Sequence, residues 1–412
     1  KEISMTSKSL PAVLLAAILG TSALTALPAL AKDSGPTLSR DVGKQLQAAV
    51  TALNAKDYKT ALTDIQAAQA VTDQTDFDKF RVNEFLSIVY NDMGDKAAAE
   101  GPALAAADST VIPDDDKADI YLRALALAED NKHYDKAVAY GKKFEALGKP
   151  DPRVTAAMLQ SYAELGDDAN TKIYLKKVMD ATSAAGQKPD EYLLQTEFNL
   201  AIKAHNEAGA EKALEELAVN YNEPGDWRQL IDVMFSTRGM RASDIIHLGR
   251  LLYASTATVS KDDATLVAQA ANQQGFYGDA QTSVSKGAAP IAGLAGKVAQ
   301  DRKSLGAQIA AGPKQGGQYN AKLAEALYGY GEYAQAETAA HAAIAKGGAS
   351  DPTEAPMVLG ESLFAQGKYA DAAQAFAGVK GAPATARIAE VWQEYAQAKA
   401  RDAAAPAAKP AQ

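Results

Sequence analysis

Few residues in this 412-residue chain could do chemistry, and their spacing argues against it. The four histidines, His133, His205, His247 and His341, lie far apart, and none forms a His-x-x-x-His or His/carboxylate ligand spacing. Each reads as a surface or packing residue. Gly293-Leu-Ala-Gly296-Lys297 is too short for a phosphate loop, and Val298 stands where a magnesium-binding hydroxyl is needed. Gly329-Tyr-Gly331 lacks a third glycine and follows no strand pattern. Asp114-Asp115-Asp116 packs its carboxylates side by side, whereas a calcium loop alternates them with other residues and ends in Glu. The run reads instead as an N-cap for a helix from Lys117. The absence of cysteine removes thiolate ligands, a thiol nucleophile and disulfides. No Gly-x-Ser-x-Gly elbow occurs. The expectation is a chain that is not an enzyme, with no catalytic residues, cofactor or metal.

What recurs is the spacing of small and aromatic residues. Ala61, Ala99 and Ala137 fall 38 residues apart, and Tyr58, Lys96 and Tyr134 keep the same interval. Gly331-Glu-Tyr333-Ala-Gln-Ala336 returns as Gly367-Lys-Tyr369-Ala-Asp-Ala372, an offset of 36. Such periods mark stacked repeats, each packing only on its neighbours, which is how a long chain avoids needing one large core. The units are helical. From the N-cap candidate Ser39, the residues Val42, Leu46, Ala49, Val50 and Leu53 follow i, i+3/i+4 spacing, Asn54 to Asp57 breaks the helix, and Tyr58 opens another. Hydrophobic residues make up 47% and charged residues 23%, which places the chain with globular rather than disordered sequences. With 42 basic against 51 acidic residues and only the isolated pairs Lys142-Lys143 and Lys176-Lys177, there is no basic stripe and no nucleic-acid partner is expected.

The pattern resembles the tetratricopeptide repeat family. The residues that carry it are Leu86, Tyr90, Gly94 and Ala99, then Trp227 and Leu230, then Leu359-Gly360, Gly367, Tyr369, Ala372, Phe376 and Pro383. Small residues at the Ala positions let two helices approach, glycine supplies a left-handed turn, and Asp151-Pro152 and Asp351-Pro352 separate hairpins. The resemblance implies an all-α fold, an α-α superhelix (solenoid) of about nine helical hairpins with a C-terminal capping helix over 384–399. The array is expected over 39–287 and 318–400, with an irregular Gly/Ala-rich helical connector at 288–317 and a low-complexity, disordered tail at 401–412.

In that family the first helix of each pair lines a concave groove that holds peptides or partner helices. The register carried over places Arg81, Glu84, Ile88, Leu122, Arg123, Arg153, Gln160, Phe198, Ile202, Glu325, Tyr328, Met357, Glu361 and Phe364 in it. A subtype that grips a C-terminal carboxylate needs Lys and Asn one turn apart on successive first helices. Here those pairs are Leu46/Val50, Glu84/Ile88, Leu122/Ala126 and Phe198/Ile202, so the clamp is absent.

The N-terminus reads as an address. Met5, Lys8, the apolar run Leu10–Leu19 and the small-x-small Ala29-Leu30-Ala31 match a secretory signal peptide over 1–31, cleaved after Ala31. An uncleaved anchor is the competing reading, and both place the body of the protein outside the cytoplasm. No later segment is apolar enough to span a membrane. The expected function is a non-enzymatic periplasmic scaffold mediating protein–protein interactions in a cell-envelope complex for assembly, transport or secretion. The alternative is a periplasmic carrier with a lipid or glycan inside the superhelix.

Overall fold

The computed structural model describes residues 36–236, 239–256 and 258–404. The signal-peptide reading at 1–31 lies outside them. Among the described residues there is no strand, and the chain divides into two compact units, 1–200 and 201–412. Both breaks expected from composition, at 287 and 318, fall inside the second unit.

In unit 1 the helices pair in chain order: α1 (Arg40–Asn54) with α2 (Tyr58–Gln69), α3 (Asp76–Asp92) with α4 (Lys96–Ala107), α5 (Lys117–Asp130) with α6 (Tyr134–Glu145), and α7 (Pro152–Glu164) with α8 (Asp168–Ala184). α9 (Glu191–Lys203) crosses the division. Two local choices make each hairpin. A left-handed residue reverses the chain: Lys56, Gly94, Lys132 and Gly166 all have φ between 58° and 82°. The next residue caps the second helix in three of the four turns. Asp57, Asp95 and Asp167 accept the backbone N–H of Thr60, Ala98 and Asn170, which fills one of the donors a helix start leaves open. Lysine at two of the four reversals shows that the turn needs the conformation rather than glycine itself. The recurrent Ala61, Ala99 and Ala137 are fully buried, where a larger side chain would hold the paired helices apart.

Unit 2 contains α10 (Glu207–Tyr221), the pairs α11 (Pro224–Phe235)/α12 (Ala242–Ser255), α13 (Lys261–Gln274)/α14 (Tyr277–Ser285), α16 (Gly317–Gly329)/α17 (Tyr333–Lys346) and α18 (Glu354–Ala365)/α19 (Tyr369–Ala377), the unpaired α15 (Leu294–Ala311), and the closing helix α20 (Pro383–Ala404). The connector at 288–317 is thus mostly one 18-residue helix, α15, of which only Leu294 and Val298 are buried. It stands outside the stack, because α14 packs directly on α16. The tail boundary also shifts, since α20 carries helix through residues 401–404.

The α14–α16 contact rests on two glycines. A Cβ on Gly278 would sit 2.5 Å from the carbonyl carbon of Gly329, and one on Gly329 would sit 2.6 Å from Oδ2 of Asp279. The obstacle for Gly278 is backbone, which cannot turn aside. Gly278→Ala is therefore expected to cost about 1–3 kcal/mol in urea unfolding, the usual range for overpacking. Gly296→Ala on α15, where a Cβ meets open space, is the control expected to cost nothing. Equal midpoints for the two variants would refute a tight α14–α16 seam.

Candidate partner-binding face

The residues expected to line one groove fall into two different situations. In unit 1, the first helices α3, α5 and α7 carry Arg81, Glu84, Ile88, Leu122, Arg123, Arg153 and Gln160. All but Leu122 are half-buried; Leu122 is 7% exposed and belongs to the core. Two of the arginines are held by carboxylates of the chain. Arg81 donates to Glu84 and Asp116, both at 2.7 Å, and lies over the rings of Phe77 and Phe80. Asp116 is therefore an arginine partner as well as the N-cap position of α5, where its side chain makes no capping bond. Arg153 donates to its neighbour Asp151 at 2.7 Å.

Buried polar atoms without a hydrogen-bond partner on the same helices include Oδ1 of Asn91, Nη1 of Arg123 and Oε1 of Gln160, besides Oγ of Ser161 and the carboxylate of Glu129. Burial pulls the Arg123 guanidinium down, opposed by the charges of Glu84, Asp119 and Asp92. Buried polar groups in native folds are almost always paired, because a lost bond costs about 1–3 kcal/mol. A face that leaves these open is short of partners. On α9, Phe198 is buried and Ile202 is 42% exposed.

Glu129, at the end of α5, was not singled out by the repeat register. It is 4% exposed and neither carboxylate oxygen has a partner. Burial, reinforced by the charge of Asp130, pushes it up to about 8. In the unfolded chain the same group ionises near 4.5. The folded state thus holds the extra proton between those values, and stability falls as pH rises through that window and stays low above it. Glu129→Gln removes the penalty. Its unfolding free energy should match the parent near pH 4.5 and exceed it by about 4 kcal/mol at pH 8. Parallel stability curves for the two proteins across pH 4–9 would show that Glu129 ionises normally.

On α16 and α18 of unit 2 the expected groove residues are not an open surface, which corrects the register-based reading there. Met357 and Glu361 are 0% exposed and Glu325 is 1% exposed. The space in front of them is filled by α12 and α20 of the same chain. His247 on α12 bonds Glu361 through Nδ1 at 2.8 Å. Arg250, one turn on, donates to Glu361 at 2.5 Å and grips Asp279 of α14 with two bonds at 2.9 and 2.8 Å. Its Nη2 also lies 2.7 Å from Glu325, without the alignment of a hydrogen bond. Tyr328 lies under the guanidinium at 4.1 Å. Phe364 is covered by α20, with Tyr395 stacked on it at 5.1 Å and Trp392 edge-on at 5.3 Å. Burial alone would lower His247, but Glu361 and Glu325 outweigh it and hold the imidazole up at about 9. Burial raises Glu325 to about 7 against the pull of Arg250 and His247. Glu361, which burial would also raise, is instead held low by His247 and Arg250, both bonded to it.

His133 also meets a carboxylate, its Nδ1 lying 2.7 Å from Glu100, and it is half exposed. Among the described residues one carboxylate trio, Glu215, Glu390 and Glu394, could offer three oxygens to a cation, but Arg387 already occupies it through Glu215 and Glu390 at 2.6 and 2.9 Å. An apolar groove of about 450 Å³ lies in unit 2 between α15 and α17 over α16, lined among others by Ile309, Pro313, Leu323, Leu327 and Ala339.

No protein-family model matches the chain, and no curated protein matches it. Solved structures that resemble it include the tetratricopeptide repeat domain of P58(IPK), with 14% identity, 89% of this chain and 100% of that chain covered, and a TM-score of 0.22. The APC/C hetero-tetramer Cut9-Hcn1 is similar at 14% identity, with 88% and 73% covered and a TM-score of 0.28. Scores this low transfer nothing about site or partner. The all-α, hairpin-by-hairpin architecture rests on the chain's own helix pairing, left-handed reversals and buried alanines.

Proposed function

We infer that this chain is a non-enzymatic scaffold that binds a protein partner along the first helices of unit 1. One observation carries the reading: Asn91, Arg123 and Gln160, on three successive first helices, keep buried polar atoms unbonded. A partner that supplies the missing bonds recovers the cost of leaving them open, which is where binding energy concentrates. The leader-like N-terminus supports action outside the cytoplasm, as a module of a cell-envelope complex. Among the described residues no helix is long and apolar enough to cross a membrane.

A photo-crosslinking residue placed at Gln160 in a Gram-negative host should trap a discrete protein partner. The same residue at Lys59, on the exposed side of α2, should not. Equal labelling at both sites, or none at Gln160, would remove the basis for the reading. Fractionation with mass measurement tests the location: the mature chain should begin at Lys32 and be released with the periplasm.

The carrier reading is favoured by the apolar groove beside α15. It requires lipid to be extracted from the purified protein in stoichiometric amount. A lipid-free preparation that still traps a partner leaves only the scaffold.

A further inference from the structure

Three of the four first helices of unit 1 end on carboxylates, α1 closing instead on Asn54. α3 closes at Asp92, α5 at Asp130 and α7 at Glu164, each just before the left-handed reversal at Gly94, Lys132 or Gly166. None of these helices has a basic residue in its last turn. This is the wrong sign for a helix. Its last carbonyls carry about half a negative charge, so a carboxylate there costs roughly 0.3–1 kcal/mol, where a lysine would stabilise. The same unfavourable choice is made in three successive hairpins. Asp130 has one cation of the chain's own, Lys96, at 2.8 Å, whose side chain is 46% exposed. Such an exposed pair is weak enough to exchange for another cation.

Beside this row lies Glu129, buried and with both oxygens unpartnered. The groups around it offer no positive charge. Asp130 is its neighbour on α5, and Glu164 of α7 acts with Glu129 on the phenols of Tyr134 on α6 and Tyr192 on α9. Asn91 holds the equivalent place on α3, and its open atom is also an acceptor. Arg123 of α5 already acts on Asp92 by charge, so it is around Glu129 and Asn91 that the unmet capacity is for donors and positive charge.

The geometry points to a cationic partner: the C-terminal ends of α3, α5 and α7 take a lysine- or arginine-bearing polypeptide segment, with Glu129 as counter-ion to one of its side chains. Asp92, Asp130 and Glu164 form the row along which the segment runs. A polypeptide fits better than a free polyamine because Arg123 Nη1, in the middle of the same face, needs an acceptor that a backbone carbonyl supplies and an amine does not. The inference rests on the reading of this face as the binding face. It also gives Glu129 a reason to be buried at a cost to the free protein, since a site shaped for a partner is often unstable without one.

The test titrates the chain with labelled peptides of one length whose variable positions are lysine and arginine, asparagine and glutamine, or aspartate and glutamate, and separately with spermine. The basic peptides should bind, with affinity falling as salt rises. Glu129→Gln should bind them at least tenfold more weakly while keeping its helicity and its gain in stability at pH 8. Calorimetry at pH 7 in buffers of different ionisation enthalpy should show a proton released on binding by the parent and none by the variant, because a cation beside Glu129 ionises it. Equal affinity of parent and variant, binding indifferent to peptide charge, or spermine binding as tightly as the basic peptides would each overturn the inference while leaving the face intact. Failure of every peptide to bind would overturn both.

Discussion

Arg250→Met is expected to destabilise unit 2 by about 3–5 kcal/mol, the cost of removing one member of a buried charge network and leaving the others unpaired. Without the guanidinium, Asp279, Glu325 and Glu361 share a dry interior with one imidazolium. Asp279 loses two hydrogen bonds and Glu361 loses one. Tyr328 loses the cation over its ring. The three carboxylates come from α14, α16 and α18, so the loss falls on three hairpins at once. Chemical denaturation followed by far-ultraviolet circular dichroism should show the unit 2 transition at much lower denaturant, with unit 1 unmoved. A second variant separates charge from packing. Combining Arg250→Met with Asp279→Asn, Glu325→Gln and Glu361→Gln removes the uncompensated charge and should recover most of the loss. If Arg250→Met melts with the parent, or the combined variant is worse than the single one, the network is not what holds α12 in place. The pH dependence has a definite sign. His247, raised to about 9 from 6.5, contributes stability that is complete below the lower value and is lost as pH passes through the upper one.

The hairpins were legible in the sequence because each rests on local signals: an apolar 3.6-residue period, a reversal, a cap, and an alanine where two helices touch. The break read at Asn54 to Asp57 falls where the fold turns, but the caps at Asp57, Asp95 and Asp167 emerge only in the fold, and Ser39, read as a cap, holds that position without a side-chain capping bond. The N-cap read at Asp116 names the right helix start but misses its bonding, since its carboxylate turns to Arg81 instead. What the sequence did not disclose is long-range. Arg250 and Glu361 are 111 residues apart, and no periodicity announces that α12 fills the face of α16 and α18. A trace was present. Glu325 and Glu361 are separated by the same 36-residue offset as Gly331 and Gly367, and His247 and Arg250 share one helical face. The repeat therefore placed two carboxylates in equivalent positions, and the histidine had a partner that short-range ligand spacing could not reveal. Glu129 was missed for a different reason. Its importance lies in what is absent around it, and an unpaired oxygen leaves no mark in a sequence.

Trp392→Ala should cost about 3–5 kcal/mol, the range for deleting a fully buried aromatic. The helix that carries it, α20, fits the expected role of a cap on the last hairpin, since it packs along α19. Its inward side chains do more than shield an apolar flank. Trp392 stacks on Phe376 of α19 at 5.2 Å and meets Phe364 of α18, while its indole N–H donates to the carbonyl of His247 on α12 at 3.1 Å. One side chain thus joins the last hairpin to the helix that holds Arg250. Around it, Tyr395 donates to the carbonyl of Ala254, Thr385 donates to Asp244, and Arg387 reaches Glu211 and Glu215 on α10. Truncation to alanine opens a cavity among Phe364, Phe376 and Tyr395 and takes the second donor from a helical carbonyl of α12. Trp392→Phe keeps most of the packing and loses the hydrogen bond, so it should cost only about 1–2 kcal/mol. A cap that merely covered the end of a stack would fray alone, leaving α12 protected. Amide exchange decides between the two: in Trp392→Ala, protection should fall in α12 together with α18 and α19, and a loss confined to α20 would show that the helix closes the array without tying it together.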